Sequence, residues 1–125
     1  MFIEMDCPCK GKNLDKLLQP LILCILAKNG DMHGFAIHKE VSKVPRFKDK
    51  TPDAAGLYRY LKRMEGSGLL TSESDSGEKT EVGKPKRIFS ITEKGKACLS
   101  NWHKALEDYE QYIYSLVEMI QEALQ

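Results

Sequence analysis

The stretch VGKPKRIFSITEKGK, Val82 to Lys96, puts a dense group of cations against an apolar strand. Lys84, Lys86 and Arg87 crowd around Gly83 and Pro85, and Ile88, Phe89 and Ile91 follow as a short strand. By charge alone this is a solvated basic turn, and three cations within five residues are common in such turns. Its meaning depends on the elements on either side.

Upstream, Leu69 to Ser74 reads as a strand and Asp75 to Pro85 as a polar, Gly-containing loop, so Lys86 to Ile91 returns as the second arm of a hairpin. Phe89 and Ile91 fall on one face of that arm. Before the hairpin the chain has the patterning of helices. Leu14, Leu17, Leu18, Leu21, Ile22, Ile25 and Leu26 recur at three-and-four spacing, with a break or kink expected at Pro20 and an end at Asn29-Gly30. A second helix is expected from Gly34 to about Ser42, with Phe35, Ile37 and Val41 inward and Val44-Pro45 as its stop. A third has Thr51 as N-cap, Pro52 at its first position and Asp53 in its first turn. Its inner stripe is Ala54, Leu57, Leu61 and Met64, and Gly66 or Gly68 closes it.

Downstream, Thr92 caps a last helix. Along it Leu99, Trp102, Leu106, Tyr109, Ile113, Leu116 and Ile120 stand 3, 4, 3, 4, 3 and 4 residues apart, a heptad seam that predicts pairing with a second helix. Charge divides at the same place. Residues 101–125 carry a net −4 and residues 1–100 a net +5, within a chain of 125 residues whose total is only +1. A basic body and an acidic tail are suited to different partners.

Three helices, a hairpin and a long helix make the order of a winged helix-turn-helix. The expected fold class is therefore mainly α with a small β-hairpin, extended by a long C-terminal dimerisation helix. In that architecture the third helix enters the major groove of DNA and the hairpin lies along the neighbouring phosphates, so the hairpin needs cations and little else. Lys84, Lys86 and Arg87 supply them. The outer face of the third helix offers Thr51, Asp53, Ala55, Tyr58, Arg59 and Lys62, small side chains that permit close approach mixed with donors for phosphates and base edges. Gly56 in mid-helix costs about 1 kcal/mol relative to alanine, which points to close approach of another backbone or of DNA.

Three segments carry a resemblance: LQPLILCILAKNGDMHGFAIHKEV, AAGLYRYLKRMEGSGLL and GKPKRIFSITEKGK. His33-Gly34-Phe35 opens the second helix, Leu57-Tyr58 and Leu61-Lys62-Arg63 punctuate the third, and Gly83, Pro85, Phe89, Thr92 and Gly95 mark wing and helix start. The chain resembles PadR-like transcriptional regulators over Leu14 to Lys96, in particular the compact branch with a single C-terminal helix. The resemblance implies a homodimeric repressor on double-stranded DNA, with Tyr58, Arg59 and Lys62 as reading positions and Lys84, Lys86 and Arg87 on the wing. It also implies a small aromatic or amphipathic effector near the dimer interface, where Trp102 and Tyr109 would stack on it.

The domain expectation is a loose arm over 1–13, a winged-helix unit over 14–96 and a dimerisation helix over 97–125. A hydrophobic fraction of 42% with 30% charged residues is that of a soluble protein. No apolar run reaches membrane-spanning length, and Glu4 and Asp6 at the start of the chain argue against a secretory signal, so a cytoplasmic location is expected. Cys7 and Cys9 lack the partners of a closed zinc site and read as ordinary thiols, with a redox, metal or haem response through them as an alternative. Cys24 and Cys98 read as small core residues, and His33, His38 and His103 form no cluster in sequence. No phosphate loop, nucleophile elbow or metal-binding helix motif is present, so neither an enzyme nor a cofactor is expected. A winged-helix module that binds protein instead of DNA is the competing class.

Overall fold

The computed structural model describes residues 17–44, 51–79 and 85–125. Helix α1, Leu18–Asn29, buries Leu18, Ile22, Leu23, Ile25 and Leu26. No break occurs at Pro20. The helix begins only two residues earlier, so Pro20 lies in the first turn, where amides have no intrahelical acceptor and a missing N–H removes no bond. Leu14, the expected first apolar position, lies outside the described residues. The helix ends as expected, where Gly30 takes φ +84° and donates its amide to Leu26 at 2.9 Å.

Strand β1, Met32–His33, leads into helix α2, Gly34–Lys43. Ile37 and Val41 are fully buried, but Phe35, expected inward, is 72% exposed. Residues two apart on a helix point nearly opposite ways, so Phe35 cannot share the face of Ile37 and Val41. Helix α3, Ala54–Gly66, buries Leu57, Leu61 and Met64 and leaves Ala54 exposed, one turn short of the expected stripe. Its cap is Asp53 and not Thr51: the Asp53 carboxylate accepts the Gly56 amide at 2.8 Å, which places Pro52 before the helix. Gly68, at φ +84°, turns the chain toward the sheet.

Strands β2, Leu70–Lys79, and β3, Pro85–Ile91, pair antiparallel, and β1 adds to the other edge of β3 to give the order β1-β3-β2. The hairpin is longer and the sheet one strand wider than the sequence predicts. Two residues are too short for an alternation signal, and the sequence from Asp75 to Lys79 is polar throughout and offers none. The register runs from Leu70↔Ile91 to Asp75↔Lys86, with an irregularity before Lys79↔Pro85. Phe89 stands on the central strand between Met32 and Ser72 and is fully buried.

Helix α4, Glu93–Leu124, starts at a crowded corner. The Thr92 hydroxyl accepts the Gly95 amide at 3.0 Å and directs its own proton to the carbonyls of Gly68 at 2.6 Å and Leu69 at 3.0 Å. The Thr92 amide donates to the same Leu69 carbonyl at 3.1 Å. Gly95 is buried there, and a methyl group on it would drive into the Leu69 carbonyl oxygen and the Ile91 side chain. Gly95→Ala is therefore expected to destabilise the fold by about 1–3 kcal/mol, because the overpacking outweighs the ~1 kcal/mol helix preference of alanine. A urea midpoint at or above that of the wild type would show that this corner yields freely.

Candidate nucleic-acid interface

The third helix is fixed at its entry before it offers anything outward. The His38 imidazole donates from Nε2 to the Pro52 carbonyl at 2.9 Å, tying the entry of α3 to α2. Asp53 closes the first turn, and its carboxylate would lie 2.9 Å from a Cβ on Gly56. The glycine thus makes room for the cap, a local reason for its place that requires neither a second backbone nor DNA. On the open face Ala55 and Arg59 are exposed, and the Arg59 guanidinium lies back toward Gly56. Tyr58 is 41% exposed and meets the buried Phe89 edge-on, ring centres 6.1 Å apart at 77°. The helix therefore presents Tyr58 in an orientation held by the sheet.

The wing cations differ from one another. Lys84 lies outside the described residues. Lys86 is exposed, opposite Asp75 across the ladder. Arg87 is half-buried and bound to β2: Nε donates to Ser72 Oγ at 3.1 Å and Nη2 to the Ser72 carbonyl at 3.3 Å. The Ser72 hydroxyl in turn donates to Glu65 Oε2 at 2.8 Å, and Lys62 Nζ reaches Glu65 Oε1 at 2.9 Å. One carboxylate thus stands between a cation of the helix and a cation of the wing. The hydrogen bond from Lys62, followed by that from Ser72 and the charges of Lys62 and Arg87, holds the Glu65 carboxyl below its ordinary pKa against the opposing effect of burial.

Between α2, α3 and β3 lies a cleft of about 670 Å³. Its walls bring Tyr58 and Ala54 of α3 together with Lys86 and Arg87 of the wing, and the exposed Phe35 of α2 also lines it. Lys39 Nζ lies 5.8 Å from the Phe35 ring centre. His33, at the end of β1, bonds Asp75 Oδ2 at 3.0 Å and so ties the N-terminus of α2 to the wing. Sequence reasoning missed Phe35, His33 and the Glu65–Ser72 link. The 200° turn between positions 35 and 37 could have exposed Phe35, whereas the other contacts join residues 42 and 7 positions apart and have no sequence signal.

The predicted seam divides. Leu99 and Trp102 pack against the core of their own chain, and the Trp102 indole N–H donates to Gln19 Oε1 at 2.9 Å. Leu106 is half-buried, but Tyr109, Ile113, Leu116 and Ile120 lie open, with Ile113 at 55% and Ile120 at 48% exposure. Cys24 and Cys98 are free and half-buried, and Cys7 and Cys9 lie outside the described residues. Among the described residues no three His, Cys, Asp or Glu side chains converge as metal ligands, and no helix is long and apolar enough to cross a membrane.

Residues 22–101, more than half of the chain, match the sequence model of the transcriptional regulator PadR-like family. A candidate transcriptional regulator of Thermoplasma acidophilum is 27% identical, with 86% of this chain and 96% of that one aligned at a TM-score of 0.67. A PadR-like transcriptional regulator of Bacillus cereus shares the fold at 19% identity, covering 83% of this chain and 94% of its own, also at 0.67. PadR of Bacillus subtilis, solved with operator DNA, aligns at 22% identity and a TM-score of 0.55 over 69% of this chain and 47% of its own. No curated protein matches the chain by sequence.

The Glu65 contacts have a pH signature. Because its folded pKa is depressed, the stabilisation it contributes is present above its unfolded pKa and is lost as pH falls through the folded value. The wild type should exceed Glu65→Gln in stability near neutrality by about 0.5 kcal/mol or less, since Lys62 is 44% exposed, and the gap should close below the carboxylate range. Urea titrations of both proteins across that range check it; a gap that does not vary with pH would refute it.

Proposed function

Since the chain belongs to the PadR-like family of transcriptional regulators, we propose that it acts in the cytoplasm as a homodimeric repressor on a roughly palindromic operator in double-stranded DNA, from which a small aromatic or amphipathic effector releases it. The observation that carries this reading is the shared wall of the cleft, where Tyr58 of α3 and Lys86 and Arg87 of the wing face one space. A recognition helix and a phosphate-gripping hairpin must act on adjacent parts of one duplex, and this arrangement suits that. The operator complex of Bacillus subtilis PadR supports it.

In this reading residues 14–96 are the DNA-binding unit, with 1–13 as an arm and 97–125 as the dimerisation helix. Thr51, Ala55, Tyr58, Arg59 and Lys62 face the groove and Lys84, Lys86 and Arg87 the phosphates. Asp53 takes part through the cap that orients the first turn. The stripe of half-buried Leu106 and exposed Tyr109, Ile113, Leu116 and Ile120 is covered by the same stripe of a second copy, with Leu99 and Trp102 at its base. A two-fold pair then presents two α3 helices about 34 Å apart, one turn of the duplex. An effector stacked on Trp102 and Tyr109 would change that spacing without touching DNA.

Binding to the DNA upstream of its own gene, measured by gel shift across a salt series, tests the reading. Lys86→Ala or Arg87→Ala should weaken operator and random DNA alike and flatten the salt slope by about 1 each, while Arg59→Ala should also alter base preference. Unaltered salt dependence in the wing double variant would remove the wing from the interface. For the dimer, Leu106→Lys with Ile113→Lys should sediment as a monomer that no longer holds the operator tightly. A folded double variant that remains a dimer would place the contact elsewhere.

A further inference from the structure

The Glu65 carboxylate has a position that a plain helix-surface acid would not need. It lies near the end of α3, three-quarters covered, with its two oxygens divided between the two DNA-facing elements. Oε1 takes the Lys62 ammonium at 2.9 Å, and Oε2 takes the Ser72 hydroxyl at 2.8 Å, behind which Arg87 is bound at 3.1 Å. A carboxylate that accepts from a lysine on one side and reaches an arginine through a hydroxyl on the other has the charge and hydrogen-bonding sense of a backbone phosphate.

We propose that Glu65 is a built-in stand-in for a DNA phosphate, holding Lys62 and Arg87 in the unbound protein and surrendering Lys62 when the duplex arrives. This rests on the reading of Lys62 and Arg87 as DNA contacts and adds to it the residue that sets their affinity. The two halves of the arrangement differ in strength. The Lys62 side chain is 44% exposed and its pair with Glu65 spans one helical turn, a geometry worth little in water, so a phosphate can replace the carboxylate at small cost. The Ser72 link is part-buried and joins helix to strand, so it persists and keeps Glu65 within the interface. Each binding event thus includes an exchange of Lys62 from carboxylate to phosphate. The exchange lowers affinity for any DNA equally, because it involves no base. Operator and random DNA therefore lose affinity by the same factor.

The test compares wild type, Glu65→Gln, Lys62→Met and the double variant, with Glu73→Gln as control, an exposed acid on β2 that takes no part in these contacts. Kd is measured on the upstream fragment and on a scrambled duplex of equal length across a salt series, and thermal melting confirms folding. Glutamine loses the charge and keeps one oxygen, which can accept from Lys62 or from Ser72 but not from both at the positions that the two carboxylate oxygens hold. Glu65→Gln should bind both duplexes about two- to fivefold more tightly than Glu73→Gln, the range an exposed pair of this kind commands. In the Lys62→Met background the gain should largely vanish. Three results would overturn the proposal: weaker binding by Glu65→Gln, which would make the contacts a brace; a gain no larger than that of Glu73→Gln, which would be an ordinary field effect; and a gain undiminished without Lys62. If the wild type itself ignores both duplexes, the DNA-binding reading fails before the variants are reached, so the two failures are distinct.

Discussion

At the Leu69 carbonyl three parts of the chain compete for one small volume. The turn that leaves α3, the end of β3 and the first turn of α4 all close on it, through the Thr92 amide, the Thr92 hydroxyl and the bare Cα of Gly95. Because the long helix is levered from this corner, a shift of a few tenths of an ångström here would swing the far end of a 32-residue helix by a much larger distance. The start of α4 against the sheet is thus set by one threonine and one glycine, and Leu99 and Trp102, packed on the core, hold its direction over the next turns. Everything proposed for pairing two reading heads at a fixed spacing depends on it.

The sheet does a second positioning task. Phe89 fills the centre of the core and its ring edge meets Tyr58, so a residue with no solvent exposure governs how an exposed tyrosine is presented. Around that contact the cations are seldom left to themselves. Arg87 is held by Ser72, Lys62 by Glu65, and Lys39 lies over Phe35. Long side chains lose much rotamer freedom when they are ordered, and partners that hold them beforehand reduce what a ligand must still order. In the DNA-bound state proposed above the same partners would be released or shared, which couples affinity to orientation on this face.

The last helix joins two environments. Its first third belongs to the winged-helix core, with Leu99 and Trp102 packed inward and the indole bound to Gln19 of α1. From Tyr109 onward the large apolar side chains, Tyr109, Ile113, Leu116 and Ile120 among them, are exposed. At about 1.5 Å per residue, the stretch from Leu106 to Leu124 extends about 27 Å. An apolar stripe of that length is consistent with the proposed second copy lying alongside.

The sequence by itself determined the order of the four helices and the hairpin, most helix limits, and the buried stripes of α1 and, from Leu57 onward, of α3, because periodic burial and strong stop signals are local. Ile22, Leu26, Leu57, Leu61 and Phe89 are in the core as patterning requires, Gly30 ends α1, and Thr92 caps α4. It misplaced what depends on choosing among equivalent local options: Asp53 rather than Thr51 as cap, Pro20 inside a first turn rather than at a break, Phe35 outward rather than inward. Only the tertiary structure decided which strands extend past the core, that β1 joins the sheet, and that Glu65 takes Lys62 directly and Arg87 through Ser72. Those outcomes rest on side chains far apart along the chain meeting at hydrogen-bond distance, and no residue announces such a meeting in its own neighbourhood. Local periodicity records which way a residue faces; only the folded chain shows what it faces.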